Sequence, residues 1–307
     1  MSTAMTSSAL AEKTTHVRAA KPSFFGLVGG ELFKIRRQWT TWIMLILFMG
    51  ITFAPYLIMF LESNIKDVIT APGGDYAYSR VAAGLALVRI FGGFFILILT
   101  ARTIGQEYQL GTIRIVLARG VGRVQLLLAK LTAIVLWAVV LMVIGLALNA
   151  LWALLQVQIV TGSLSAITGL SSTVWHDLGI YVLTILVSMG VTILMATSIT
   201  VLFRSMAGGL SASIAWFPVD NILGLILTIA FALTRNDFWK NVSAYLLGPN
   251  LNVMAGAVAN IRHGAWAFGT GPLVTVDGTH TLFVSAVYAV IFAVVAIGLT
   301  WKRDVKE

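Results

Sequence analysis

The 307-residue sequence contains no cysteine, which excludes a disulfide, a thiolate metal site and a dithiol redox motif. Charge is scarce too. Only 11% of residues are charged, against about a quarter in soluble domains. Together with 58% hydrophobic residues and a mean hydropathy of +0.92, this excludes an ordinary soluble domain and marks an integral membrane protein. Acids are the scarcer sign, 12 against 21 Lys and Arg, for a net charge of +9. The basic excess does not imply nucleic acid as a partner, because the basic residues lie at the ends of apolar runs rather than in one patch. The four histidines are scattered without paired spacing, so no metal site is expected. Also missing are Gly-x-x-x-x-Gly-Lys-Ser/Thr, Gly-x-Ser-x-Gly and His-Glu-x-x-His. The chain therefore has no phosphate-cradling loop to hydrolyse a nucleotide itself, and enzyme readings are weak. No solenoid repeat is apparent.

What is present is an all-α pattern of six apolar runs long enough to cross a bilayer core of about 30 Å. They cover approximately 39–61, 81–100, 131–155, 178–203, 206–233 and 281–301. Residues 1–22 lack the apolar core of a signal peptide and read as a disordered tail closed by Pro22. A single membrane domain over 23–301 follows, and 302–307 form a short terminus. Alternate sides of the membrane carry 15 and 5 Lys and Arg. The positive-inside rule thus predicts both termini in the cytoplasm of a multi-pass protein of the cell membrane.

The polar run Ala101 to Lys130, between the second and third spans, is too long for a plain connection. It carries Arg102, Arg114, Arg119, Arg123 and Lys130 against one acid, Glu107. Ile104, Tyr108, Ile113, Val116 and Leu117 can share one helical face, which predicts a helix along the membrane surface. A docking site for a soluble partner and a simple interfacial anchor both fit that spacing. Ahead of the first span, Phe24 to Gln38 places Phe24, Leu27, Val28, Leu32 and Ile35 together, predicting an amphipathic helix in contact with membrane lipid. Between Thr234 and His280 the chain is too apolar for a free loop and too interrupted for a span. Short helices dipping into the outer leaflet are expected there, either capping a pathway or anchoring with their aromatics.

Two charges fall inside spans, where they are costly and tend to be functional. Arg89 lies about 12 Å from the outer end of the second span and Asp220 about 21 Å along the fifth from the inside. The expectation is that they pair, for function or only for packing. Pro218, just before Asp220 and Asn221, predicts a helix break lining a cavity.

In order along the chain, these features resemble the permease subunits of ABC-2-type ATP-binding-cassette transporters. Glu31-Leu-Phe-Lys34 with Arg36-Arg37 is similar to the family's connecting helix. Gly105-Gln106-Glu107, Gly111-Thr112, Arg123 and Ala129-Lys130 resemble its pattern between spans two and three. The segment around Tyr245-Leu-Leu-Gly-Pro249 resembles its re-entrant helices. Arg119-Gly-Val-Gly-Arg123 departs from the pattern, since many members carry Pro or Ser before that arginine. The resemblance implies two permease copies, identical or related, forming a pathway, and separate cytoplasmic ATPase subunits holding Mg-ATP, with no cofactor on this chain. Residues Glu107, Gly111, Thr112, Arg114, Arg119 and Arg123 would then form a coupling helix seated in the ATPase, Glu107 either touching the partner or bracing the helix. The cargo implied is amphipathic or hydrophobic and is exported or flipped. A secondary transporter relaying ions through Arg89 and Asp220 and an accessory subunit of a larger assembly remain the competing readings.

Overall fold

The computed structural model describes residues 23–62, 64–259 and 269–302. The expected tail over 1–22, the last five residues, and Trp266 and Phe268 of the segment before the last span lie outside the described residues. What is described is helical, without a strand among the described residues.

Among the described residues, six helices are long and apolar enough to cross a membrane. They are α2 (Trp39–Met59), α4 (Ala82–Gln109), α6 (Arg123–Thr161), α8 (Ser172–Phe203), α9 (Met206–Thr234) and α12 (Gly278–Lys302). The shorter elements are α1 (Phe24–Arg37), α3 (Ile65–Thr70), α5 (Thr112–Ala118), α7 (Ser165–Thr168), α10 (Asp237–Ser243) and α11 (Leu247–Ala259). The bundle is not symmetric in burial. In α4 and α8, 61% and 56% of the apolar window is buried, against 22% or less in α2, α9 and α12. So α4 and α8 form the axis, packed through Val88, Ile96, Tyr181, Ile185 and Met189. The other three helices turn rows such as Ile222, Ile226 and Ile229 outward.

Polar side chains inside the bundle are tied down, as burial in an apolar medium requires. Tyr56 donates to Asn149 at 2.9 Å, Tyr76 to the Gln156 side chain at 2.9 Å, and Gln156 to the Tyr56 carbonyl at 3.0 Å. These bonds lock α2, α6 and the approach to α4 into one register.

Three expectations are corrected. The run 101–130 is not one surface helix, because α4 continues to Gln109 and α6 already begins at Arg123. Ile104 and Tyr108 therefore belong to α4, and only Ile113, Val116 and Leu117 share a short separate helix. At 1.5 Å per residue the 39 residues of α6 extend about 58 Å, well beyond a hydrocarbon core. Apolar counting found only the membrane part of these helices, since a helix leaving lipid can go on in polar residues. The break expected at Pro218 is also absent, for α9 runs through it. A proline removes one backbone bond, and neighbouring turns and packed helices can hold the rest. The third correction concerns Arg89 and Asp220, whose partners are given below.

Candidate functional site

One face of α1 is buried through Val28, Glu31 and Ile35, spaced three and four apart. A carboxylate on such a face needs cations, and two lysines supply them. Lys130, at the start of the apolar part of α6, reaches Glu31 Oε2 at 3.0 Å, and Lys34 reaches Glu31 Oε1 at 2.8 Å. Both ammonium groups also meet Glu107 Oε1 of α4, each at 2.8 Å. Lys130 further donates to the Thr103 carbonyl at 3.2 Å. Two acids and two bases thus make a neutral set joining α1, α4 and α6. The side chains of Lys130, Glu31 and Glu107 are 4%, 5% and 12% exposed, while that of Lys34 is 52% exposed. Burial pulls the Lys34 ammonium down, but its hydrogen bonds to Glu107 and Glu31 outweigh that and hold its pKa above the usual lysine value.

Across a shared cavity from this set lies α5. It is entered through Gly111 at φ +68° and left past Gly120 at φ +84°, left-handed turns that glycine makes without a Cβ penalty. Thr112 is its first residue, and Arg119 follows its last as the cap. Ile113, Val116 and Leu117 face inward and are half-buried, while Arg114, Ile115, Ala118 and Arg119 are exposed. Ile115 is 58% and the neighbouring Leu110 65% exposed, an apolar pair flanked by arginines.

Space is left on both sides of α5. A cavity of about 250 Å³ is lined by Arg114, Arg123, Lys130 and Arg204 with the apolar Ile104 and Leu117. Another of about 330 Å³ lies toward α1, lined by Glu31, Lys34, Thr103 and Val116. Glu107 borders both, and its Oε2 is buried without a hydrogen bond among the described residues. Below it, Gly105 faces the turn between α8 and α9. A Cβ there would lie 2.6 Å from the Met206 Cα, so only glycine allows α4 this close. The arrangement is a short strap on two turns between α4 and α6, which the Glu107–Lys130 pair ties together.

Of the residues singled out in sequence, Glu107 braces α4 against α1 and α6 rather than presenting itself outward. Gly111, Thr112, Arg114 and Arg119 fall on or beside α5, and Arg123 opens α6. Sequence reasoning missed the clamp. Glu31 and Lys130 are 99 residues apart, and nothing in their local pattern joins them. The usable signal was a lone acid on the apolar face of α1 and a lysine at the head of an apolar run.

Arg89, Asp220 and Asn221 gather at a second place, around the start of α11. Arg89 donates to the Leu251 carbonyl at 2.8 Å, and Asp220 accepts the Gly248 N–H. They hold two points of the same helix and form no ion pair with each other among the described residues, which corrects the expected pairing. A helix N-terminus offers unpaired N–H groups and a positive dipole end, so Asp220 satisfies itself there without Arg89. Asn221 Oδ1 accepts from the Thr270 N–H at 2.9 Å and fastens the approach to α12.

The fold and these sites define a class: a polytopic α-helical membrane protein of the transporter type. Residues 27–234, more than half of the chain, match the family described as ABC-2 family transporter protein. The chain belongs to that family, whose members are membrane subunits working with ABC ATPase subunits. Comparison with curated proteins yields no match.

Proposed function

We propose that this chain is the permease subunit of an ABC exporter in the cell membrane, moving an amphipathic or hydrophobic substrate under the drive of separate ATPase subunits that bind Mg-ATP. The observation that carries the reading is α5, a strap between two glycine turns that exposes Ile115, Arg114 and Arg119 beside Leu110, and whose flanking helices α4 and α6 are tied together by the Glu107–Lys130 pair. Closure of an ATPase against that face would push α4 and α6 as rigid rods, since both are continuous from the strap into the bundle. Two copies, identical or related, would enclose the pathway, with the outward apolar rows of α9 and α2 meeting lipid or the second copy. The 15-to-5 distribution of basic residues supports placing α5 and both termini in the cytoplasm.

The segment between α9 and α12 supports a re-entrant pair. Helices α10 and α11 meet at 73°, and the 13 residues of α11 span about 20 Å, short of a bilayer core. The start of α11 touches Asp220 in the middle of α9, and its other end packs against Gly278 at the start of α12. Enter and leave on one side is the simplest path. The secondary-transport reading rests on Arg89 and Asp220 as an ion relay, and their separate anchoring to α11 gives it no added support.

The test is co-purification of tagged protein with its ATPase in mild detergent, followed by hydrolysis assays. Arg114→Glu and Ile115→Asp, both exposed on α5, should release or uncouple the ATPase while leaving the permease folded. An unchanged complex and unchanged hydrolysis with both substitutions would dismiss α5 as the coupling helix.

A further inference from the structure

Arg89 is 8% exposed, and among the described residues its guanidinium makes one hydrogen bond, to the Leu251 carbonyl, and no ion pair. Guanidinium carries five N–H donors, and a buried charge inside a membrane bundle is costly unless a counter-charge meets it. Arg89 lines a cavity of about 270 Å³ between α4, α8, α9 and α11. Its polar wall includes Arg89, Ser188, Thr192, Asn221 and Asn252, and Phe94 and Phe217 stand on its apolar side. Those two rings stand 6.0 Å apart between centroids, and Phe94 is 37% exposed, so the aromatic side opens outward toward the apolar surface of the bundle. The nearest acid of the α11 anchor, Asp220, is committed to the Gly248 N–H and does not line the cavity.

We infer that this cavity is a binding site for the anionic headgroup of an amphipathic molecule, a phosphate or carboxylate held by Arg89 with its tail leaving past Phe94 and Phe217. Size fits that division. Sites for whole drug-sized ligands run from about 300 Å³ upward, so 270 Å³ admits a headgroup and leaves the chains outside. Arginine suits the role because its planar fork matches phosphate and carboxylate in two-point contact. As a station on a transport route the site rests on the permease reading above; as a binding site it does not.

The experiment titrates the full chain, purified in neutral maltoside micelles with no ATPase present, and reads binding by calorimetry. Dihexanoyl phosphatidic acid, dihexanoylglycerol and inorganic phosphate are the three probes. Phosphatidic acid should bind and dihexanoylglycerol should not. Arg89→Gln should weaken phosphatidic acid by about tenfold or more, with Arg89→Lys between. Inorganic phosphate binding with the same loss in Arg89→Gln assigns the ligand to free anion as well as lipid; phosphatidic acid alone assigns it to a lipid headgroup. Gly93 lines the same cavity, and a Cβ there has no atom within 4 Å. Gly93→Leu should therefore fill the space and abolish binding with the melting midpoint unchanged, which decides the matter even if Arg89→Gln fails to fold. Undiminished binding in Gly93→Leu, or in folded Arg89→Gln, overturns the inference, as does equal binding of dihexanoylglycerol. A chain that binds phosphatidic acid but captures no ATPase would refute the permease reading and leave this site standing.

Discussion

Replacing Lys130 by methionine keeps the volume of the side chain and removes the one buried cation of the clamp beneath α5. Its ammonium is 3.0 Å from Glu31, 2.8 Å from Glu107 and 3.2 Å from the Thr103 carbonyl. Without it, two carboxylates that are 5% and 12% exposed share Lys34 alone, which is 52% exposed. Removing one partner of a buried charged set costs about 3–5 kcal/mol, so Lys130→Met should lose that much in equilibrium unfolding. Glu107→Gln is milder, because glutamine still accepts from both lysines, and should cost about 1–3 kcal/mol. The double variant returns the set to neutrality, leaving Glu31 with Lys34. Its loss should fall short of the sum of the singles by about 1–3 kcal/mol, a coupling expected of residues in one network. Unfolding by sodium dodecyl sulfate in mixed micelles, followed by circular dichroism, measures all four corners. Losses that add to within about 0.5 kcal/mol would show that the carboxylate and the lysine do not act together, and the clamp would fail as an explanation of how α1, α4 and α6 are held together beside α5.

Gly105→Ala forces a Cβ to within 2.6 Å of the Met206 backbone and should destabilise by about 1–3 kcal/mol; Gly93→Ala, in open space, should be neutral or stabilising, and equal melting midpoints for the two would refute the close approach. Asp220→Leu should cost about 1–3 kcal/mol by orphaning the Gly248 N–H, while Asp220→Asn keeps an acceptor and should stay near wild type in stability. If Asp220→Asn keeps stability but loses transport, the carboxylate charge itself has a role beyond anchoring α11.

Much of this molecule was legible before any coordinates, for a reason particular to membranes. Each spanning helix must satisfy its backbone internally and be apolar over about 20 residues, so α2, α8, α9 and α12 could be read directly as runs. The Arg204-Ser205 break between α8 and α9 was equally plain, because two apolar runs met at two polar residues. Reading failed where helices left the lipid. The continuation of α4 past its apolar run through Glu107 and the early start of α6 at Arg123 are polar, so composition no longer marks them, and the spacing of apolar residues does not separate a short α5 between two glycine turns from its neighbours. At Pro218 the residue type alone predicts a break that α9 does not show, since a proline's effect depends on what packs around it.

By itself, then, the sequence determined an all-helical membrane protein of six apolar runs with a basic side, and it held the run of residues that belongs to the ABC-2 family. These are properties of local composition and periodicity. Only the tertiary structure decided which charges meet. It put Lys130 between Glu31 and Glu107, sent Arg89 and Asp220 to separate points on α11, and left Arg89 facing a cavity. Such pairings join residues tens to more than a hundred positions apart, and a charge in a low-dielectric interior is settled by whatever the packing brings within about 3 Å of it, which no local pattern records.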